Sequence, residues 1–189
     1  MPNTDRFPNL LKDTRIKLCD ALGRPHNHGK HVIQNIGANG YRINPALYTC
    51  DVWQLHDLLA QAVTASDQEK TAALMAAVDL YAGPYLKDIP HGWAHTASRT
   101  VNREVVQALA ELADLETAPA RAVLHLERAT DIDTTAEHLY RRRMQMYADR
   151  GRAEAVHHCY EQLNDRLKAC GKKPEATTVQ LYLRLTAGP

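Results

Sequence analysis

The spacing of apolar positions changes character near residue 51. Downstream of it, apolar side chains recur at three- and four-residue intervals, the period of a helix that buries one face. Asp51 stands where an N-cap is expected, ahead of Val52, Leu55, Leu59 and Ala62 or Val63. A second helix is predicted from about Asp67 to Tyr81, with Leu74, Ala77, Val78 and Tyr81 on one face and Gly83-Pro84 as its stop. After a connector, Trp93 opens a long helix running towards Leu115 through Val101, Val105, Ala108, Leu109 and Leu112. Helices over about 119–130, 134–149 and 153–168 follow, and a last one from Thr177 or Thr178 to Leu185 comes after Gly171-Lys-Lys-Pro174. No strand pattern occurs in this region.

Upstream the pattern differs. Phe7 to Leu22 reads as a helix carrying Leu10, Leu11, Ile16, Leu18 and Leu22, stopped by Gly23. Gly23 to Gly29 reads as a loop. Two β-prone runs, His31 to Ile36 and Tyr41 to Asn44, flank Gly-Ala-Asn39-Gly40, and the Asn-Gly pair signals a hairpin because it tolerates positive φ. Helix, loop and hairpin in this order make the back half of a winged helix, with its front helices expected to be missing. The expected domains are therefore residues 1–45, a partial winged-helix segment, and residues 46–189, a helical array.

The array also repeats itself. Arg121-Ala-Val-Leu-His-Leu-Glu-Arg-Ala129 aligns with Glu154-Ala-Val-His-His-Cys-Tyr-Glu-Gln162 at an offset of 33 residues, close to the ~34-residue tetratricopeptide period. Ala122 and Ala155 are expected to allow close helix approach, and Tyr147 before Gly151 fits a first helix and its turn. The expected fold is mainly α, a tetratricopeptide-like array; a generic amphipathic bundle fits the same periodicity.

Composition supports a core and excludes several classes. Of 189 residues 44% are hydrophobic and 24% charged, the balance of a globular protein. No apolar run approaches the ~20 residues that span a bilayer, and the first residues lack the basic head and apolar stretch of a secretion signal; the expected location is the cytoplasm. Cys19, Cys50, Cys159 and Cys170 have no C-x-x-C spacing and lie beside apolar stretches, as buried thiols do. The net charge of +1 conceals an asymmetry: residues 1–45 carry seven Lys/Arg against Asp5, Asp13 and Asp20, leaving a mildly acidic remainder. Only the head favours a polyanion.

Lys12, Arg15 and Lys17 on the first helix, with Arg42 beyond the hairpin turn, are the candidate DNA contacts, since phosphate recognition needs cations on an element held against the duplex. Ordinary solvated charge is the competing reading. Arg141-Arg142-Arg143 is the candidate surface for an acidic partner, or else a solvated helix face; Arg142 lies beside the Tyr140 and Met144 positions, so part of the run is expected to face inward with its aliphatic stem. His26, His28 and His31, His91 and His95, and the adjacent His157 and His158 do not make a convergent zinc set, because neighbours on a helix point ~100° apart. No nucleophile elbow, zincin or P-loop motif is present. No catalytic residue, metal or cofactor is expected.

Several of these residues, in their order, resemble one family. Gly40-Tyr-Arg-Ile-Asn-Pro45, Asp51-Val-Trp53, Leu80-Tyr-Ala-Gly-Pro-Tyr-Leu86, Trp93, Ala110-Glu-Leu-Ala113, Ala153-Glu-Ala-Val156 and Leu181-Tyr-Leu-Arg-Leu185 are similar to positions of the bacterial transcriptional activator domain found in SARP-type regulators. The resemblance covers about residues 40–186. It implies a tetratricopeptide-like domain following an OmpR-type winged helix, with residues 7–44 as recognition helix and wing. The chain departs from the family where the aspartate–proline turn is Asp133-Thr134. The implied function is non-enzymatic: a transcription-regulatory module that binds a protein partner or a second copy of itself. Direct DNA binding by the head and a stand-alone scaffold are the alternatives.

Overall fold

A computed structural model of the chain describes residues 6–187, which divide into two compact units at the boundary between Cys50 and Asp51.

In the first unit, helix α1 (Arg6–Ala21) is followed by a 3-10 turn and a single-turn helix α2 (Gly29–Val32). Strands β1 (Ile33–Asn35) and β2 (Tyr41–Ile43) then pair antiparallel, Ile33 opposite Ile43 and Asn35 opposite Tyr41. One detail differs from expectation. His31 and Val32, expected to start a strand, lie in α2, which places Val32 in the core at no exposure. Within the expected Gly-Ala-Asn-Gly connector, Gly37–Asn39 form a 3-10 turn, and the positive φ values fall on Gly37 (72°) and Gly40 (91°). The Asn35 side chain accepts the Gly37 N–H at 2.8 Å, and the Gly40 carbonyl accepts the Ile36 N–H at 2.8 Å, closing the loop. A small core of Cys19, Val32 and Ile33 is bordered by Leu11, Leu18, Leu22 and Tyr48.

The second unit contains α3 (Asp51–Thr64), α4 (Asp67–Asp79), α5 (Gly92–Leu115), α6 (Pro119–Ile132), α7 (Glu137–Ala148), α8 (Ala153–Ala169) and α9 (Ala176–Thr186). Each of α3 to α8 packs on the next, while α9 packs on both α7 and α8. The pairs α3/α4, α5/α6 and α7/α8 are joined by two- to four-residue links, so each is a helix hairpin. The signals that bound them are local. Glu69 accepts hydrogen bonds from the Ser66 N–H (3.2 Å) and hydroxyl (2.7 Å) at the start of α4, and Pro119 opens α6. Gly151, at φ 66°, ends α7 while Arg152 N–H bonds back to the Tyr147 carbonyl at 3.0 Å, the Schellman arrangement.

Burial follows the predicted stripes. Leu74, Ala77 and Val78 of α4 and Val101, Val105, Ala108, Leu109 and Leu112 of α5 are all buried. On α3, Leu55 and Ala62 point inward whereas Val63 is 80% exposed, which settles the choice between Ala62 and Val63. The 33-residue repeat proves to relate α6 to α8, the second helices of successive hairpins. Val123 and Val156 are matched and both buried, as are Leu126 and Cys159. The core falls into two clusters, one spanning α3 to the start of α7 with Leu126 and Leu139 at no exposure, the other among α6, α7 and α8 with Leu163 at no exposure; each such side chain contributes roughly 2–3 kcal/mol by leaving water.

Candidate functional site

Stacked hairpins leave the first helices of successive pairs side by side on one face. Between α3 and α5, over the start of α4, that face forms an open groove of about 570 Å³. Its α3 wall is His56, Leu59, Ala60 and Val63, and its α5 wall is Glu104, Gln107, Ala108 and Glu111. Both sets follow the i, i+3, i+4, i+7 spacing of one helix face, so the groove is bounded by two parallel stripes, one mostly aliphatic and one mostly polar. Leu74 of α4 floors it.

One side-chain contact ties the α3 wall to the α5 wall, and an ion pair joins α4 to α5. His56 Nε2 lies 3.0 Å from Glu104 Oε2, and Lys70 Nζ lies 3.0 Å from Glu111 Oε2. Gln107 donates to Glu111 at 3.3 Å. Counted with histidine neutral, the lining carries two carboxylates against one ammonium, a net negative rim around apolar walls. These residues were not singled out from sequence. The only signal was a second helical stripe beside the core stripe of α5, and nothing local says which of two stripes meets a neighbour and which meets a groove.

The arginine run is distributed rather than presented on one surface. Arg141 is partly buried and donates to Glu175 (2.9 Å) and Thr178 Oγ1 (2.7 Å), tying α7 to α9. Arg142 reaches across to α5, pairing with Asp114 and donating to the Ala110 carbonyl at 3.3 Å. Arg143 is the inward member: it is 5% exposed. It donates to Thr130 Oγ1 and Gln162 Oε1, both at 3.0 Å, and lies 3.4 Å from Glu127. Successive side chains on a helix diverge by ~100°, so three adjacent arginines meet three different neighbours.

Around Arg143 lies a second concavity, about 480 Å³, bordered by α6, α7 and α8. Tyr147 donates to Glu127 at 2.6 Å; burial, and then the bond to that carboxylate, raise the Tyr147 pKa. Burial pushes the Cys159 thiol up to about 11, which keeps it protonated and unreactive at neutral pH. Below it, Arg166 donates to the Tyr140 hydroxyl and to Asp131, at 2.6 and 2.9 Å. Burial alone would lower the Arg166 pKa, but the Asp131 and Tyr140 interactions outweigh it and raise it.

In the first unit, Lys12 and Lys17 are exposed on α1 and Arg42 is exposed on β2, bonded to Gln34 at 3.1 Å. Arg15 is built into the fold instead. Its Nη2 donates to the Ile33 carbonyl at 2.7 Å, its stem packs on Gly29, and its guanidinium lies 5.7 Å from the Tyr41 ring centre. The histidines find separate partners: His26 with Asp20, His31 with Asn44, His157 with Tyr182. Among the described residues no three His, Cys, Asp or Glu side chains are grouped to hold a metal ion. No helix among them is long and apolar enough to cross a membrane.

Stacked hairpins closed by a final helix, in a chain that also holds a helix and a wing-like hairpin, define a tetratricopeptide-like architecture. Residues 50–186 match the family model of the bacterial transcriptional activator domain, and the chain belongs to that family, whose members are transcription regulators. The chain is also similar in fold to Mycobacterium tuberculosis EmbR, solved in complex with a low affinity phosphopeptide. The TM-score is 0.65 at 19% identity, over 98% of this chain and 51% of that one. The chain thus spans about half the length of EmbR. No curated protein matches it.

Proposed function

We propose that the second unit is a non-enzymatic docking module of a bacterial transcription regulator, and that its α3–α5 groove receives a segment of a partner protein. The observation that carries this reading is the pair of facing helical stripes across an open groove of about 570 Å³. Half-buried Leu59 packs on the core at one edge of the groove while Ala60 and Val63 are exposed beside it, and an apolar concavity with a few polar groups is the usual form of a recognition site. EmbR, a protein of the same fold and about twice this length, was solved in complex with a low affinity phosphopeptide, which supports protein binding by a regulator of this fold but not the groove as its place. A photoreactive amino acid at Gln107, in the groove, is compared in living cells with one at Leu124, which is 60% exposed on α6. Protein adducts from position 107 and none from 124 are expected. Equal yields at both positions, or none at either, overturn the reading. Adducts equal in mass to two copies of this chain would make self-association the use of the groove.

A second reading rests on the exposure of Lys12, Lys17 and Arg42 around the α1–hairpin unit: direct contact with DNA phosphates. It predicts retardation of duplex DNA at low salt, where phosphate attraction is strongest, abolished by K12E/K17E. No retardation under those conditions sinks it. Arg141, Arg142 and Arg143 enter the docking proposal as residues that hold α7 against α5, α6 and α9.

A further inference from the structure

The groove carries enough chemistry to specify what kind of segment it fits, granted the docking reading above. Glu104 and Glu111 are seven residues apart on α5, two helical turns, which separates their backbones by ~10.5 Å. Both carboxylates line the groove, each only about one-third exposed. Between them lies Ala108, small enough to leave the floor open, and opposite stand Leu59, Ala60 and Val63.

We infer that the groove takes an amphipathic helix with a basic flank. Such a helix, lying along α5, sets cationic side chains seven residues apart against Glu104 and Glu111, and turns apolar side chains four and eight residues beyond the first cation, on one flank of that row, towards the α3 wall. The match is one of period as well as charge. Two carboxylates spaced by two turns meet two cations spaced by two turns, whereas an extended strand covers the same ~10.5 Å in about three residues and would place neighbouring cations on alternate faces. The rim favours cations because His56 and Lys70 leave capacity on both acids. A carboxylate accepts several hydrogen bonds, and an incoming guanidinium offers a bidentate fork that an imidazole or ammonium does not. An acidic helix would meet both carboxylates across a groove partly shielded from water.

The test uses the full chain and three labelled 18-residue helical peptides, followed by fluorescence anisotropy at two salt concentrations. One carries a leucine stripe flanked by arginines at seven-residue spacing, the second has glutamate at those arginine positions, and the third has the first one's composition with the spacing scrambled. The basic, correctly spaced peptide is expected to bind at least tenfold more tightly than either other, with affinity falling as salt rises. Ala60→Trp, which fills the groove, is expected to weaken it at least tenfold, and E104K/E111K to reverse the preference towards the acidic peptide. Circular dichroism confirms that both variants are folded. If Ala60→Trp proves unfolded, the charge-reversal pair decides alone. Equal affinity for basic and acidic peptides, or a preference unmoved by E104K/E111K, overturns the inference. Groove adducts from Gln107 that persist in cells alongside such a result would leave docking intact and remove only the partner chemistry.

Discussion

Replacing Arg143 measures how much of the array depends on an internal ion pair. Its guanidinium makes two bonds at 3.0 Å, to Thr130 and Gln162, and a long one at 3.4 Å to Glu127. The group also lies 5.6 Å from the Tyr140 ring centre, and its Nε is buried with no acceptor. The two good bonds to a charged donor are each worth about 1.5 kcal/mol, and the long one adds little. Arg143→Ala loses them and the packed stem, but also relieves the folded state of a desolvated guanidinium with one orphaned N–H. The net is a loss of about 3 kcal/mol, the lower end for removing one partner of a buried pair. Arg143→Met keeps most of the stem volume. Glu127 then retains the Tyr147 hydroxyl at 2.6 Å and remains 37% exposed to water, so the loss falls to about 1 kcal/mol. For a unit of this size the melting temperature drops by roughly 9 °C for Ala and 3 °C for Met, read by calorimetry or far-ultraviolet dichroism. An alanine variant within about 1 kcal/mol of the parent, the scale of an exposed pair, would refute the reasoning. So would methionine as damaging as alanine.

Other outcomes follow from the same geometry. Burial holds the Cys159 thiol at about 11 against 9.0 for a free one, so the folded state keeps a proton that the unfolded chain releases. That stabilisation is whole below pH 9 and lost as pH rises towards 11, amounting to about 3 kcal/mol; Cys159→Ala should flatten the alkaline limb of a thermal-stability profile, and an unchanged limb counts against it. Hydrogen bonds from the Ser66 hydroxyl and N–H lower the Glu69 pKa, so its contribution is present above the usual carboxylate range and disappears as pH falls through it; Glu69→Gln should lower the melting temperature at pH 7 but not at pH 3. A Cβ on Gly29 would stand 3.0 Å from Arg15 Cβ, so Gly29→Ala should loosen the first unit by about 1–2 kcal/mol. Faster hydrogen exchange at β1 and β2 would show it, and unchanged protection would exclude it. A thiol reagent on the native protein at pH 8 should label exposed Cys170 well before buried Cys19 and Cys159; labelling of all three at one rate contradicts the burial.

How far the chain was legible depends on the range of the forces concerned. Helix existence is written locally, through apolar spacing within one turn or two, a capping serine at 66, a proline at 119 and glycines at 23 and 151. Those signals sit within four residues of what they control. The hairpin was legible in kind but not in detail, because whether positive φ falls on Asn39-Gly40 or on Gly37 and Gly40 depends on closing hydrogen bonds around the loop. The polar members of the groove lay beyond reach, since His56 meets Glu104 across 48 positions of sequence.

The amino-acid order by itself determined where the coils begin and end, which flank of each is greasy, and that a 33-residue unit recurs. Tertiary packing alone decided which arginine of 141–143 goes inside, and which polar stripe lines an open groove. The physical reason is that a helix presents every direction around its axis, and only the neighbours that settle against it determine which of those directions remain in water.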